Sequence, residues 1–211
     1  MKQISNLRYQ LASIISILAE NRFIPKTFLR HRSRDRKKFL QSVIPPGGIG
    51  AEIGVQKGFF THSIIDSIKP SRLHLIDPWY LIGEKWPWAE TNKSTCKALQ
   101  NVIYWFHKEL VRGDIILHIG FDQDVLQTFS DNCLDWVYLD TSHSYEDTKH
   151  ELKLLSRKVK ANGIIAGDDW FSNPEHPFFG QCLAIREFVS KSDYKILASS
   201  DDDHQWAIIK G

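Results

Sequence analysis

The chain has 211 residues, of which 42% are hydrophobic and 25% charged, the composition of an ordinary globular protein of one domain or a little more. Its 27 basic and 25 acidic side chains leave a net charge of only +2, so no global field draws it to nucleic acid or to a membrane surface. Cys96, Cys133 and Cys182 lie too far apart for a disulfide framework or a zinc site and read as reduced, cytosolic thiols.

Residues 1–44 read as a helical extension. Leu11 to Ala19 is apolar and follows Lys2 and Arg8, the order of a signal peptide, but Glu20, Asn21 and Arg22 stand where a small-residue cleavage site is needed. Leu7, Leu11, Ile14, Ile15 and Leu18 share one helical face, so an amphipathic helix is expected instead. No run reaches the roughly 18–20 apolar residues of a membrane span, and the expectation is a cytoplasmic protein. The basic run from Arg30 to Lys38 is either a solvated helix face or a local patch for a phosphate or a partner. Pro45-Pro46-Gly47-Gly48 ends this part and opens a second one over 45–211.

From Ile49 short apolar runs alternate with helical stretches. Strands are predicted over Ile49–Ile53, Arg72–Ile76, Ile115–Ile119, Leu134–Leu139, Ile164–Ala166, Tyr194–Ala198 and Trp206–Ile209. Helices are predicted over Phe59–Ile68, most of Trp88–Leu110, Asp122–Phe129, Tyr145–Val159 and Cys182–Lys191. This alternation means an α/β fold, a Rossmann-like, doubly wound parallel sheet covered on both faces. The last two strands leave no room for a crossover helix and should pair antiparallel through the turn Ser199–His204.

In such a sheet a ligand lies beyond the carboxyl ends of the strands, so the residues there carry the functional reading. After the first strand comes Gly50-Ala51-Glu52-Ile53-Gly54-Val55-Gln56-Lys57-Gly58. A glycine turn of this kind lets a ligand approach the backbone. Glu52 stands where a nicotinamide-binding loop wants its first glycine; a carboxylate there repels a pyrophosphate but suits a ligand with an ammonium group, such as S-adenosylmethionine. A purely structural turn is the other reading.

Asp77, after the second strand, is placed to hold two ribose hydroxyls. Trp79 could shield a cofactor or simply pack, and Asp122 could reach an adenine edge or cap the helix that it begins. In Leu139-Asp140-Thr141-Ser142-His143-Ser144-Tyr145-Glu146-Asp147, Ser144 and Asp147 fit a capping box, which leaves Asp140 and His143 in the loop before the helix.

Asp168 and Asp169 follow the fifth strand and could converge with Asp140. Carboxylates about 4 Å apart repel by roughly 4 kcal/mol per pair at an effective dielectric near 20, so the cluster needs protonation or a cation. Oxygen ligands favour Mg²⁺, Mn²⁺ or Ca²⁺ over zinc. Alternatively, Asp168 and Asp169 bind loop amides and no metal. His143 has the chemistry of a general base, or is a turn histidine bonded to backbone. His74 and His118, inside strands, read as structural; His176 and His204 are weaker candidates, and Asp201-Asp202-Asp203 reads as an exposed turn.

The motifs GAEIGVQKG, LIDPW, VYLDTSHSYEDTKHEL and KANGIIAGDDW, in that order and each at a strand end, resemble those of class I S-adenosylmethionine-dependent methyltransferases. The nearest likeness is to the small-molecule and sugar O-methyltransferase group that includes macrocin O-methyltransferases and cephalosporin-hydroxylase-like proteins. The resemblance covers about three-quarters of the chain, from Pro46 onward. It implies a seven-stranded sheet with its last strand antiparallel, cofactor contacts at Glu52, Gly54, Gly58 and Asp77, and Mg²⁺ held by Asp140, Asp168 and Asp169. It implies His143 as base, three residues after the first metal acid; Ser142 removes the acid that other members use two residues after it. Thr141 replaces the glycine of the common D-G-x-H-x-Y form.

The implied function is metal-assisted O-methylation of a small hydroxylated molecule. A cofactor-binding protein without turnover, contacting a partner or RNA through its basic segment, is the alternative; a nicotinamide oxidoreductase is disfavoured by Glu52. No N-P-P-[YF] motif of nucleic-acid amino-methylases is present, which lowers that class. The aromatic stretch Trp79–Trp88 could form a lid or stack on the acceptor, or pack on the N-terminal helices. The N-terminal part could cover the active site or join two copies.

Overall fold

The computed structural model describes residues 36–79 and 92–211. The expected amphipathic helix near the N-terminus, most of the basic run and nearly all of the aromatic stretch after Trp79 lie outside these residues. The described part opens with a helix over 36–43 (α1). Its apolar residues Leu40, Val43 and Ile44 are buried in the same core as the sheet. The compact unit accordingly runs from Arg36 to Gly211, and begins before the expected boundary at Pro45.

The sheet has seven strands: β1 (Ile49–Ile53), β2 (Arg72–Asp77), β3 (Ile115–Ile119), β4 (Leu134–Leu139), β5 (Val159–Gly167), β6 (Tyr194–Ser200) and β7 (Gln205–Lys210). Their order is β3-β2-β1-β4-β5-β7-β6. The first five pair in parallel. β7 is antiparallel to both β5 and β6, as the short connection requires. This is the expected Rossmann-like architecture, seven strands with the last antiparallel.

The central strands are buried on both faces, which is why β1 and β4 are mostly apolar, with Glu52 and Asp135 as their charged exceptions. Period-two alternation sends Trp136 and Tyr138 to one side of β4 and Val137 and Leu139 to the other. The first side packs on α1, on α2 (Phe59–Ile68) and on α3 (Asn92–Trp105). The second packs on α5 (Asp122–Gln127), α6 (Tyr145–Lys158) and α7 (Phe179–Ser190). The long helix expected up to Leu110 breaks at Phe106, and α4 (His107–Arg112) continues it to a left-handed Gly113.

β5 begins earlier than its apolar core suggests. Val159 pairs with Leu134 and Ile164 with Trp136, so the residues between Val159 and Ile164 loop out as a bulge. Asn162, at φ 60, makes the turn expected from Asn162-Gly163. Among the described residues no helix is long and apolar enough to cross a membrane.

Candidate active site

The parallel strands deliver the predicted residues to one end of the sheet. β1 ends in a tight loop in which Gly54, Gln56 and Gly58 all take positive φ, at 87°, 49° and 75°. At Gly54 the demand is steric as well: a β-carbon there would lie 1.8 Å from the backbone oxygen of Asp140. Asp77, at the end of β2, reaches across to the loop and accepts from the Gln56 amide at 2.8 Å. Burial raises the Asp77 carboxyl to about 6, against the pull of the Gln56 and Val55 amides.

Two of the expected cofactor contacts are turned elsewhere. Glu52 is only 1% exposed, and it accepts from the Thr61 hydroxyl of α2 at 2.6 Å. Burial pushes its carboxyl up to about 8, so at neutral pH it is chiefly a neutral acid that ties α2 to β1 beneath the loop. Trp79 is 2% exposed, and its indole N–H donates to the Gln56 carbonyl at 2.7 Å. It braces the loop from the β2 side.

Asp122 begins α5 but gives no side-chain cap. It is paired instead with Glu151 of α6, a buried residue that the sequence reading missed. Burial, reinforced by the Asp122 charge, lifts Glu151 to about 8.

Beyond β4 Ser144 caps the helix as the spacing predicts, its Oγ accepting from the Asp147 amide at 3.1 Å, but the Asp147 carboxylate accepts from the Ser142 and Ser144 hydroxyls instead of returning to the Ser144 amide, so only half of the expected capping box forms. The helix therefore starts after His143, which sits at φ 57. Its Nε2 lies 3.5 Å from Asp140 Oδ1 and 3.4 Å from Asp169 Oδ2. Burial by itself would lower the His143 pKa; bonding to Asp140 and the charges of Asp140, Asp169 and Asp168 outweigh it and raise the value. The Nδ1 atom is buried and has no hydrogen-bond partner among the described residues.

The acid cluster is brought together, but around an arginine. Arg36, from the basic run, turns inward and is 12% exposed. Its Nη2 donates to Asp140 Oδ2 at 2.7 Å, and its Nη1 is 3.3 Å from Asp168 Oδ2. Nε and Nη2 also donate to the Tyr138 hydroxyl at 3.0 and 2.8 Å. That hydroxyl donates to Gln205 Oε1 at 2.8 Å, and Gln205 Nε2 donates to Asp168 Oδ1, which closes the ring. The guanidinium carbon lies 3.9 Å from the centre of the Phe60 ring. Burial alone would raise the Asp140 carboxyl; Arg36 and His143 hold it well below the usual carboxylate range.

These contacts bear on the expected Mg²⁺ site. Asp140 and Asp168 converge on Arg36, while Asp169 faces His143. Among the described residues no three His, Cys, Asp or Glu side chains are grouped as metal ligands. The three aspartates as placed do not fit a divalent ion.

Arg36, Tyr138 and Gln205 were not anticipated. One signal was readable: Arg36 lies one and two helical turns before Leu40 and Ile44, on the face that is buried. His74 and His118 are structural as expected, with Nδ1 and Nε2 2.8 Å apart on neighbouring strands. Phe171 stacks on His176, with ring centres 3.5 Å apart, and lies against His204. Asp201 accepts from the Ser172 amide and hydroxyl, while the rest of its acidic run is exposed.

A family model described as a methyltransferase domain matches residues 51–170, more than half of the chain. The protein belongs to the methyltransferase domain family. The match runs from within β1 to Trp170, just past Asp168 and Asp169, and so takes in every predicted site residue except the weaker candidates His176 and His204. No curated protein matches the chain significantly.

Solved structures share the fold at low identity. A Corynebacterium glutamicum protein is 11% identical, with a TM-score of 0.60 over 86% of this chain and 81% of that one. A Clostridium thermocellum protein assigned as an rRNA methylase is 12% identical, with a TM-score of 0.56 over 83% and 92%. A Streptococcus mutans protein assigned as a methyltransferase, solved with S-adenosylhomocysteine, is 11% identical, with a TM-score of 0.52 over 82% and 93%.

Proposed function

We propose that this methyltransferase uses S-adenosylmethionine to methylate a hydroxyl group of a small molecule. The observation that carries the reading is the placement of His143 between Asp140 and Asp169 at the same sheet end as the glycine loop and Asp77. When bound, the cofactor supplies a methyl group on a sulfonium, which departs as a neutral thioether.

The chain's own residues divide the remaining work. Asp77 accepts from the ribose hydroxyls, with its carboxyl oriented by the Gln56 amide. Gly54 and Gly58 let the cofactor approach the backbone, Asp122 would meet the adenine edge from the start of α5, and Glu52 and Trp79 hold the loop from beneath and beside it. His143 takes the proton of the acceptor hydroxyl on Nε2, and Asp140 and Asp169 stabilise the imidazolium that results. General-base help of this kind is worth about 10²–10⁴ in rate. The likeness to small-molecule and sugar O-methyltransferases supports a hydroxylated acceptor.

Isothermal titration with S-adenosylmethionine and S-adenosylhomocysteine tests the cofactor. Micromolar binding of both is the expected result. Absence of binding by either would overturn the reading.

A further inference from the structure

We propose that the Arg36 guanidinium is the resident cation of this site: it stands between Asp140 and Asp168 where a divalent ion would stand, and the protein needs no metal there. The proposal rests on the methyltransferase reading for the meaning of the site, but its measurements do not depend on methyl transfer.

Asp140 Oδ2 receives Arg36 Nη2 and its Oδ1 lies by His143 Nε2. Asp168 Oδ2 faces Arg36 Nη1 and its Oδ1 receives Gln205 Nε2. Three of the four oxygens thus have a nitrogen donor beside them, and the fourth faces His143 Nε2, which donates to it when the ring is protonated. A hard cation bound at about 2.1 Å would have to displace the guanidinium from the two oxygens that it bridges.

Arg36 is also held from the other side. Its Nε is fixed by Tyr138, its planar face lies on Phe60, and Tyr138 is itself tied through Gln205 back to Asp168. A surface arginine that had drifted inward would not have a closed ring of buried partners. A planar guanidinium, always charged and a donor along several directions, matches two carboxylates as a single cation does, but offers no open coordination position.

The consequence concerns the acceptor. A metal can hold an acceptor through two adjacent oxygens and lowers the pKa of a hydroxyl bound to it. With Arg36 in that place the acceptor needs one hydroxyl within reach of His143, and no second oxygen beside it.

The test uses the whole chain. Wild-type protein is titrated with Mn²⁺ and followed by electron paramagnetic resonance. Thermal midpoints of wild type, Asp140→Asn and Asp168→Asn are then measured in EDTA. We expect no saturable Mn²⁺ uptake, and midpoints lowered by roughly 5–10 °C, because each change removes one partner of a buried pair.

Saturable uptake of Mn²⁺ that Asp168→Asn abolishes would overturn the proposal. So would midpoints that rise in EDTA, since bare carboxylates repel and gain from losing a charge. Arg36→Met, if it folds, should acquire the Mn²⁺ uptake that the wild type lacks; the aspartate variants decide the matter if it does not. Titration of the same samples with S-adenosylmethionine reports separately on the cofactor reading.

Discussion

The backbone oxygen of Asp140 occupies the position that a β-carbon at residue 54 would approach to 1.8 Å. The glycine loop after β1 and the loop after β4 are therefore in direct backbone contact, and the contact is possible only because residue 54 has no side chain. Gly54→Ala must push the two loops apart and also strain a φ of 87°. We expect a loss of roughly 2–4 kcal/mol in chemical denaturation, together with weakened S-adenosylmethionine binding in calorimetry. A variant with unchanged stability would show that the loops are not so closely joined.

His143 as base predicts a separation of binding from turnover. His143→Gln should keep the cofactor affinity of the wild type within a few fold while the rate of methyl transfer falls by about 10²–10⁴. The raised pKa of His143 gives the pH profile its sign: the base is protonated and inactive at low pH, so the rate should climb with pH through a value above 6.5. A pH-independent rate between 6 and 9 would remove His143 from that role.

Asp77 should act on binding more than on rate. Asp77→Ala removes the proposed acceptor of the ribose hydroxyls and leaves the Gln56 amide without its partner. Affinity for S-adenosylhomocysteine should fall at least about tenfold, as for loss of a charge-assisted hydrogen bond of roughly 1.5–3 kcal/mol. Calorimetry of the purified variant checks this without any knowledge of the acceptor.

The paired histidines of β2 and β3 predict an acid-sensitive contribution to stability. Burial, His118 and Arg72 lower His74 to about 4 from its ordinary 6.5. The unfolded chain thus binds a proton that the native chain refuses between these values, and stability is lost as the pH falls from about 6.5 toward 4. Glu52 and Glu151 slope the other way, since acids held up to about 8 are stabilising when protonated and lose that contribution as the pH rises. The informative quantity is a difference: thermal midpoints of wild type minus those of His74→Leu, read from pH 4 to 7, should drop toward acid. A flat difference would rule the pair out.

The legibility of this protein follows from where its signals are local. β1, α2, β3 and β4 coincide with the predicted segments, because their apolar runs are bounded by Pro, Gly or polar turns that leave little choice. The cap at Ser144 was readable for the same reason: it involves residues three apart. What escaped prediction is set by distant pairs. Arg36 meets Asp140 from more than a hundred residues away, and nothing local distinguishes it from Arg34 or Lys38 except its alignment with Leu40 and Ile44. Gln205 reaches Asp168 only because β7 is inserted beside β5. Glu52 looked like a ligand-facing acid because it lies in a glycine loop, yet strand alternation turns it to the Tyr138 side of the sheet, toward α2.

That insertion of β7 has a bearing on how the chain is built. β6 shares no ladder with β5, so from its synthesis until β7 emerges it has no strand to pair with. Asp168 likewise leaves the ribosome well before Gln205, the residue that links it to Tyr138 and so to the arginine network. Most of the parallel sheet can assemble as it is made, but the charged network at the carboxyl ends of its strands must wait for β7, which follows the other six. A nascent chain of this protein passes through an interval in which its scaffold exists and its chemistry does not.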